Sequence, residues 1–321
     1  MIEYADIVKA IFISFLIAVL LGPIIIPMLK RLNVGQSIRE DGPKSHLKKS
    51  GTPTMGGIII LIALIITLLI SRMINKDIYV LLFATLGFGL IGFLDDYIIV
   101  VRKNNLGLKA YQKLIGQIVL AVILALYQSS TSVLGSKLIV PFLKNQYIDL
   151  GILYIPFIVF VVVATVNSVN LTDGLDGLAS GVTLIVLSFF GIIAFKWGMG
   201  SISIFSMALA GACLGFLIHN AHPAKIFMGD TGSLALGGAV SAIAILLNIP
   251  LIIPIVGGIY LIETLSVIIQ VISFKTTGKR VFLMSPLHHH FEHKGHKETN
   301  IVAMFWIVTV ILSIIGYYSL I

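Results

Sequence analysis

The chain has 321 residues, 58% hydrophobic and 11% charged, with 22 Lys and Arg against 14 Asp and Glu, a formal net charge of +8 and a mean hydropathy of +1.05. A soluble domain carries about 25% charged residues, so a soluble globular protein, a disordered tail and a fibrous repeat are all excluded. The single cysteine, Cys213, lies inside an apolar run and excludes a disulfide framework or a Cys-type metal site.

In chain order, ten apolar runs lie near residues 7–29, 54–71, 78–94, 111–129, 152–167, 177–195, 202–219, 233–248, 251–273 and 301–320. Each is close to the roughly 20 residues that cross a bilayer core. They predict an all-α polytopic membrane protein of about ten transmembrane helices, a single integral-membrane domain over residues 1–321. The first run has no small-residue cleavage site and reads as a retained span. Between runs 4 and 5, polar and apolar residues alternate around Gly135, Ser136 and Pro141, which predicts a short β-hairpin. Pro250 and Pro254 predict a bend at the start of run 9.

The segments after runs 1, 3, 5, 7 and 9 hold 16 of the 22 basic residues. By the positive-inside bias those loops are cytoplasmic, and both termini and the hairpin are extracytoplasmic. This distribution accounts for the net charge without nucleic acid as a partner. All eight histidines and five aspartates, Asp95, Asp96, Asp173, Asp176 and Asp230, fall on the same cytoplasmic side. The asymmetry predicts a cytoplasm-facing active-site cleft at the membrane surface.

Four constellations carry the chemistry. In GFLDDY, Asp95 and Asp96 end an apolar helix; two like charges this close call for a cation or a raised pKa, and a hard divalent ion with phosphate fits them. Two carboxylates at a solvated helix end are the bland alternative. In NSVNLTDGLDGL, two Asp-Gly pairs form a polar turn with backbone amides free at the next helix start, suited to phosphate or a nucleoside. In NAHPAKIFMGDTGS, Asp230 and Ser233 precede a span, where glycine permits close approach to a ligand. In SPLHHHFE, His288, His289 and His290 can donate to phosphate oxygens; three adjacent imidazoles do not readily ligate one zinc. The basic loop at residues 35–55 adds Lys48, Lys49, Thr52 and Thr54 as anchors for an anionic substrate. Within run 9, Glu263 and Gln270 share one helix face. Gln270 lies near the site, and Glu263 reads as a packed partner group.

Taken together, GPKSHLKKSGTPTMGG, GFLDDY, NSVNLTDGLDGLA, NAHPAKIFMGDTGS and SPLHHHFE, in order over essentially the whole chain, resemble the bacterial phospho-N-acetylmuramoyl-pentapeptide transferases. The wider superfamily of polyprenyl-phosphate N-acetylhexosamine-1-phosphate transferases shares the DDY and DGLDGL elements; the SHLKKSGTPTMGG and SPLHHHFE segments favour the muramoyl branch. The resemblance implies transfer of phospho-MurNAc-pentapeptide from UDP-MurNAc-pentapeptide to undecaprenyl phosphate, giving lipid I and UMP. It also implies a Mg²⁺ cofactor, a bacterial plasma-membrane location and a homodimer. By the same carry-over, Asp230 and Asp95 are metal ligands, and Asp95, Asp96, Asp230, His288 and Lys113 are catalytic, with Asp95 the candidate base. A two-step route through an aspartyl nucleophile stays open. Lys48, Leu171, Gly174, Asp176 and Phe227 resemble a uridine pocket; Thr52, Asn170, Asp173, Asn220, Gly229 and Gln270 resemble contacts to the sugar diphosphate. Lys113 and His288, His289 and His290 resemble phosphate or pentapeptide contacts. The rival within enzymes is a UDP-N-acetylglucosamine-1-phosphate transferase to the same lipid. From another class comes a secondary transporter of an anionic solute, disfavoured because the acids gather at one face and not at the midplane.

Overall fold

The structure, a computed structural model, describes residues 3–31, 51–101, 107–144 and 146–321. Ten apolar helices stand where the ten runs are: α1 (Tyr4–Arg31), α2 (Gly57–Ile70), α3 (Lys76–Val101), α4 (Ala110–Thr131), α5 (Tyr154–Thr172), α6 (Leu178–Lys196), α7 (Gly200–Asn220), α8 (Gly229–Leu246), α9 (Gly258–Thr277) and, after the short α10 (Leu287–His293), α11 (Glu298–Ser319). Among the described residues nine of these are long and apolar enough to cross a membrane, while α2 has 14 residues. The chain is a multi-pass helical membrane protein.

The helices sort by how much they bury. In α8, 89% of the most apolar stretch is buried, and in α7 83%, against 28% in α1 and in α4. Thus α7 and α8, with α6 at 72%, form the interior and the others wrap them. Helix α1 shows the division along its length: Val8, Phe12, Leu16, Leu20 and Ile24 are exposed, whereas Ala10, Ser14 and Ala18 are buried. Its inner face meets Gly211 and Gly215 of α7, where an added Cβ would collide with backbone at Ile11 and Phe15. Small residues that let helix backbones approach are how membrane helices gain packing without a hydrophobic drive between them.

The predicted hairpin is present, β1 (Lys137–Ile139) against β2 (Tyr147–Asp149), antiparallel, with Lys137 opposite Asp149. The Ser136 hydroxyl and the Gly151 N–H donate to Asp149 and hold its carboxyl below the usual range. Asn248, in the left-handed region at φ 57°, ties the hairpin to the bundle. Its side-chain oxygen accepts from Gln128 and Ser132, each at 3.0 Å, and its backbone carbonyl accepts from Ile139. The proline bend is also present. A 3₁₀ turn at Pro250–Ile252 and one helical turn at Ile253–Val256 precede α9, with the break at Gly257.

Two boundaries differ from the sequence reading. Asp95 and Asp96 do not end their helix, because α3 continues to Val101. Asp230 and Ser233 do not precede their span but form the first turn of α8, which starts at Gly229. Both shifts have one cause: α3 and α8 cross closely enough for their polar residues to satisfy each other. A Cβ on Gly92 would overlap the Asp230 backbone, and one on Gly57 would overlap Gly232. Gly92→Ala is therefore expected to force α3 from α8 and cost about 1–3 kcal/mol, the usual range for overpacking. A lower unfolding midpoint in detergent checks this; an unchanged midpoint contradicts the close crossing.

Candidate active site

The site is built from the contact of α3, α4, α5 and α8. Asp95, 2% exposed, accepts the Leu108 N–H at 2.6 Å, and its other oxygen lies 2.6 Å from the Lys113 ammonium. The same ammonium lies 2.7 Å from Asp230. On its far side Asp230 accepts from Asn170 at 2.9 Å, and Asn170 donates as well to the Ser233 hydroxyl at 2.8 Å. Asp95, Lys113, Asn170 and Asp230, four of the predicted site residues, thus form one connected cluster. Lys113 and Asn170 are themselves registered by a pair one turn away, Asn167 donating to Gln117 across α4 and α5 at 2.7 Å.

Asp96 faces a different partner. Its two oxygens accept the backbone N–H groups of Asp230 at 3.2 Å and Thr231 at 2.9 Å, and the Thr231 hydroxyl at 2.6 Å. The first amides of a helix have no partner within it, and a carboxylate there is favoured by the helix dipole. Asp96 therefore caps α8 from the neighbouring span and fixes where Asp230 stands.

The segment after the basic loop docks beside this cap. Phe227 donates its N–H to the Pro53 carbonyl at 2.8 Å and accepts from Gly56 at 2.9 Å, and Gly57 donates to Met228 at 2.9 Å. Gly229 needs its φ of 73°, and a Cβ there would crowd Asp96 and Thr54. Thr52 and Phe227 are half-buried at this edge. Lys48 lies outside the described residues.

The Asp-Gly turn joins α5 to α6, and two of the amides the sequence reading expects to be free are engaged by protein. The Asp176 N–H donates to Glu298 at 2.7 Å, and the Gly177 N–H to Asn220 at 3.1 Å. Asn220 also accepts from Ser180 and donates to the Ile226 carbonyl, so both ends of its amide are taken by protein. Asp176 accepts from the Ala224 N–H at 3.0 Å and lies 3.2 Å from His222 Nδ1. Burial pushes the Asp173 carboxyl well above the usual range, and the charges of Asp230, Asp96 and Asp176 add to it. Leu171 and Gly174 flank this turn, both half-buried.

The histidine run forms α10; its His288 and His289 rings meet edge to face at 4.2 Å, and the three rings take different polar partners. His288 is buried, with Nδ1 at 3.1 Å from Glu263. His289 pairs with Glu292 at 2.8 Å, and His290 accepts the Leu283 N–H at 3.1 Å. Gln270 bonds the loop that follows α9, accepting from Val281 and Phe282 and donating to the Phe282 carbonyl. Sequence reasoning passed over His222 and Glu298 as site residues; their only signal was a histidine and an acid at the edges of two motifs.

Two clusters bring possible metal ligands together. Asp176, His222 and Glu298 offer atoms within 4.8 Å of one another; the imidazole nitrogen suits a transition metal. Asp95 and Asp230, converging on one ammonium beside Asn170 and Ser233, are an all-oxygen set of the kind a hard divalent cation takes.

Residues 78–248 match glycosyl transferase family 4, and residues 49–61 match phospho-N-acetylmuramoyl-pentapeptide-transferase signature 1. A phospho-N-acetylmuramoyl-pentapeptide-transferase of Alkaliphilus oremlandii is 62% identical, covering 99% of both chains. One of Alkaliphilus metalliredigens is 61% identical over 100% of both, and one of Clostridium botulinum 56% identical over 98% of this chain and 96% of its own. This chain belongs to the phospho-N-acetylmuramoyl-pentapeptide-transferase family. It is an enzyme, a membrane-embedded transferase. The two matched ranges hold the docked 52–57 segment and every helix of the acid cluster, while the α10 histidines of this family member lie beyond residue 248.

Lys113→Met leaves two carboxylates facing each other without a cation. Breaking a buried pair costs about 3–5 kcal/mol; with the Lys113 side chain 26% exposed, a loss of about 2 kcal/mol is expected in the unfolding midpoint. Adding Asp95→Asn to Lys113→Met should recover part of it, and no recovery would contradict the like-charge account. Burial and the Lys294 ammonium hold His290 below its usual 6.5. A neutral ring accepts the Leu283 N–H, so this support is present above pH 6.5 and is lost as pH falls through the lower folded value. NMR titration of the ring nitrogens checks it; half-titration above 6.5 would contradict it.

Proposed function

We propose that the chain transfers phospho-N-acetylmuramoyl-pentapeptide from UDP-MurNAc-pentapeptide to undecaprenyl phosphate, giving lipid I and UMP in the first membrane step of peptidoglycan synthesis. The observation that carries this reading is full-length identity of 62% to a transferase of that name, and the Asp95, Lys113 and Asp230 cluster is suited to the chemistry. An oxygen of the lipid phosphate attacks the phosphorus that bears the sugar. The bond from that phosphorus to the bridging oxygen breaks, and the electron pair leaves with UMP. The lipid phosphate has a second pKa of about 6, so at neutral pH it needs little deprotonation, and Asp95 mainly orients it.

Catalysis of phosphoryl transfer is mostly positioning and charge neutralisation. Lys113, at 2.6 and 2.7 Å from the two carboxylates, is placed to share its charge with equatorial phosphate oxygens. Asn170 fixes the rotamer of Asp230, and Asp96 fixes its backbone. Asp230 and Asp95 would hold Mg²⁺, which supplies neutralisation of the diphosphate and of the leaving UMP. Lys48, Leu171, Gly174, Asp176 and Phe227 would receive the uridine, and Asp173, Thr52 and Asn170 would contact the sugar diphosphate. The site faces the cytoplasm of a bacterial plasma membrane, with both termini outside, as the lysine and arginine bias requires.

The test is UMP release by purified protein with undecaprenyl phosphate and Mg²⁺, run with UDP-MurNAc-pentapeptide and with UDP-N-acetylglucosamine. Turnover with the pentapeptide donor alone, lost with EDTA, is expected; turnover with the acetylglucosamine donor alone would move the chain to the sibling branch. Asp230→Asn should lower the rate at least about 100-fold with the unfolding midpoint retained. A rate above about a tenth of wild type would contradict its metal role.

A further inference from the structure

Glu263 is a carboxylate inside a membrane-spanning helix, with 0% of it exposed. Such a group is costly unless paired, and among the described residues its side chain meets one partner, His288. One oxygen accepts the His288 backbone N–H at 3.2 Å. The other stands 3.1 Å from Nδ1, at ion-pair distance although off the hydrogen-bond line, which a small rotation of the ring corrects. The remaining ring nitrogen, Nε2, is buried without a hydrogen-bond partner. It faces Gly174 so closely that a Cβ on Gly174 would overlap it. Anchoring α10 needs only the backbone bond. The second oxygen at Nδ1 and the unpartnered Nε2 against the Asp-Gly turn are the arrangement by which a carboxylate orients a working histidine.

We propose that Glu263 is a positioning residue that holds the His288 ring so that Nε2–H donates to a phosphate oxygen of the UDP-linked donor at the Gly174 turn. This rests on the function proposed above. A ring N–H that donates to an anionic phosphate oxygen makes a charge-assisted hydrogen bond, about twice as strong as a neutral one.

Glu263→Gln keeps an oxygen for the His288 backbone N–H and removes the charge at Nδ1. It is expected to lower kcat for UMP release about 10- to 100-fold, the usual loss for an orienting partner. In the His288→Ala background the same change should cost less than about twofold, because coupled residues are not additive. A wild-type kcat for Glu263→Gln, or the same loss in both backgrounds, overturns the proposal. Should Glu263→Gln not fold, Gly174→Ala reads the same coupling by placing a methyl against Nε2. A loss of about tenfold or more with His288 present and less than about twofold in His288→Ala supports it; equal losses overturn it. Wild-type protein that releases no UMP from UDP-MurNAc-pentapeptide would instead refute the proposed function itself.

Discussion

The carboxylate of Asp96, buried on α3, takes the first free amides of α8, and the rest of the site depends on this contact. Helix ends inside a membrane cannot be left to water, so the orphan N–H groups of α8 need an acceptor from the protein. A neighbouring span supplies it as a carboxyl group, on the end of the helix where the dipole favours an anion. The contact requires the backbones to come close, which is why Gly92 of α3 lies against Asp230; α2 approaches the same end of α8 through Gly57, against Gly232. With α8 held, Asp230 can project only toward Lys113 and Asp95.

From that fixed point the arrangement spreads by pairs. Lys113 joins α4 to α3 and α8, Asn170 joins α5 to α8, and the Gln117 and Asn167 amides hold α4 and α5 in register. Within this cluster each polar side chain is answered by another, as the low dielectric demands. Charge sits at the face where two substrates of different solubility would meet, one diffusing in the bilayer and one in water.

Much of this was legible in the sequence. Apolar runs of spanning length gave the helices, and Gly135 and Pro141 marked the hairpin that Asn248 then fastens to the bundle. The few polar residues were informative because each is expensive inside a membrane. What the sequence withheld is which polar atoms are already engaged. Asn220 and Gln270 read as ligand contacts, and in the structure both amides also bond protein groups that lie 6 to 43 residues away. The pairing of Glu263 with His288 spans 25 residues. The helix α10 has no periodicity to announce it, since its three adjacent histidines take three different partners. Span ends were misjudged at Asp95 and Asp230 because hydropathy stops at the first charge, whereas the helix continues wherever tertiary partners satisfy that charge.

The central claim is that the divalent cation belongs to the α3 and α8 contact and not to the Asp176, His222 and Glu298 cluster. Electron paramagnetic resonance of Mn²⁺ added to the purified protein tests it directly. The account predicts a bound signal that is lost in Asp230→Asn and kept in His222→Ala, with both variants folded. Binding that survives Asp230→Asn and disappears in His222→Ala would contradict it.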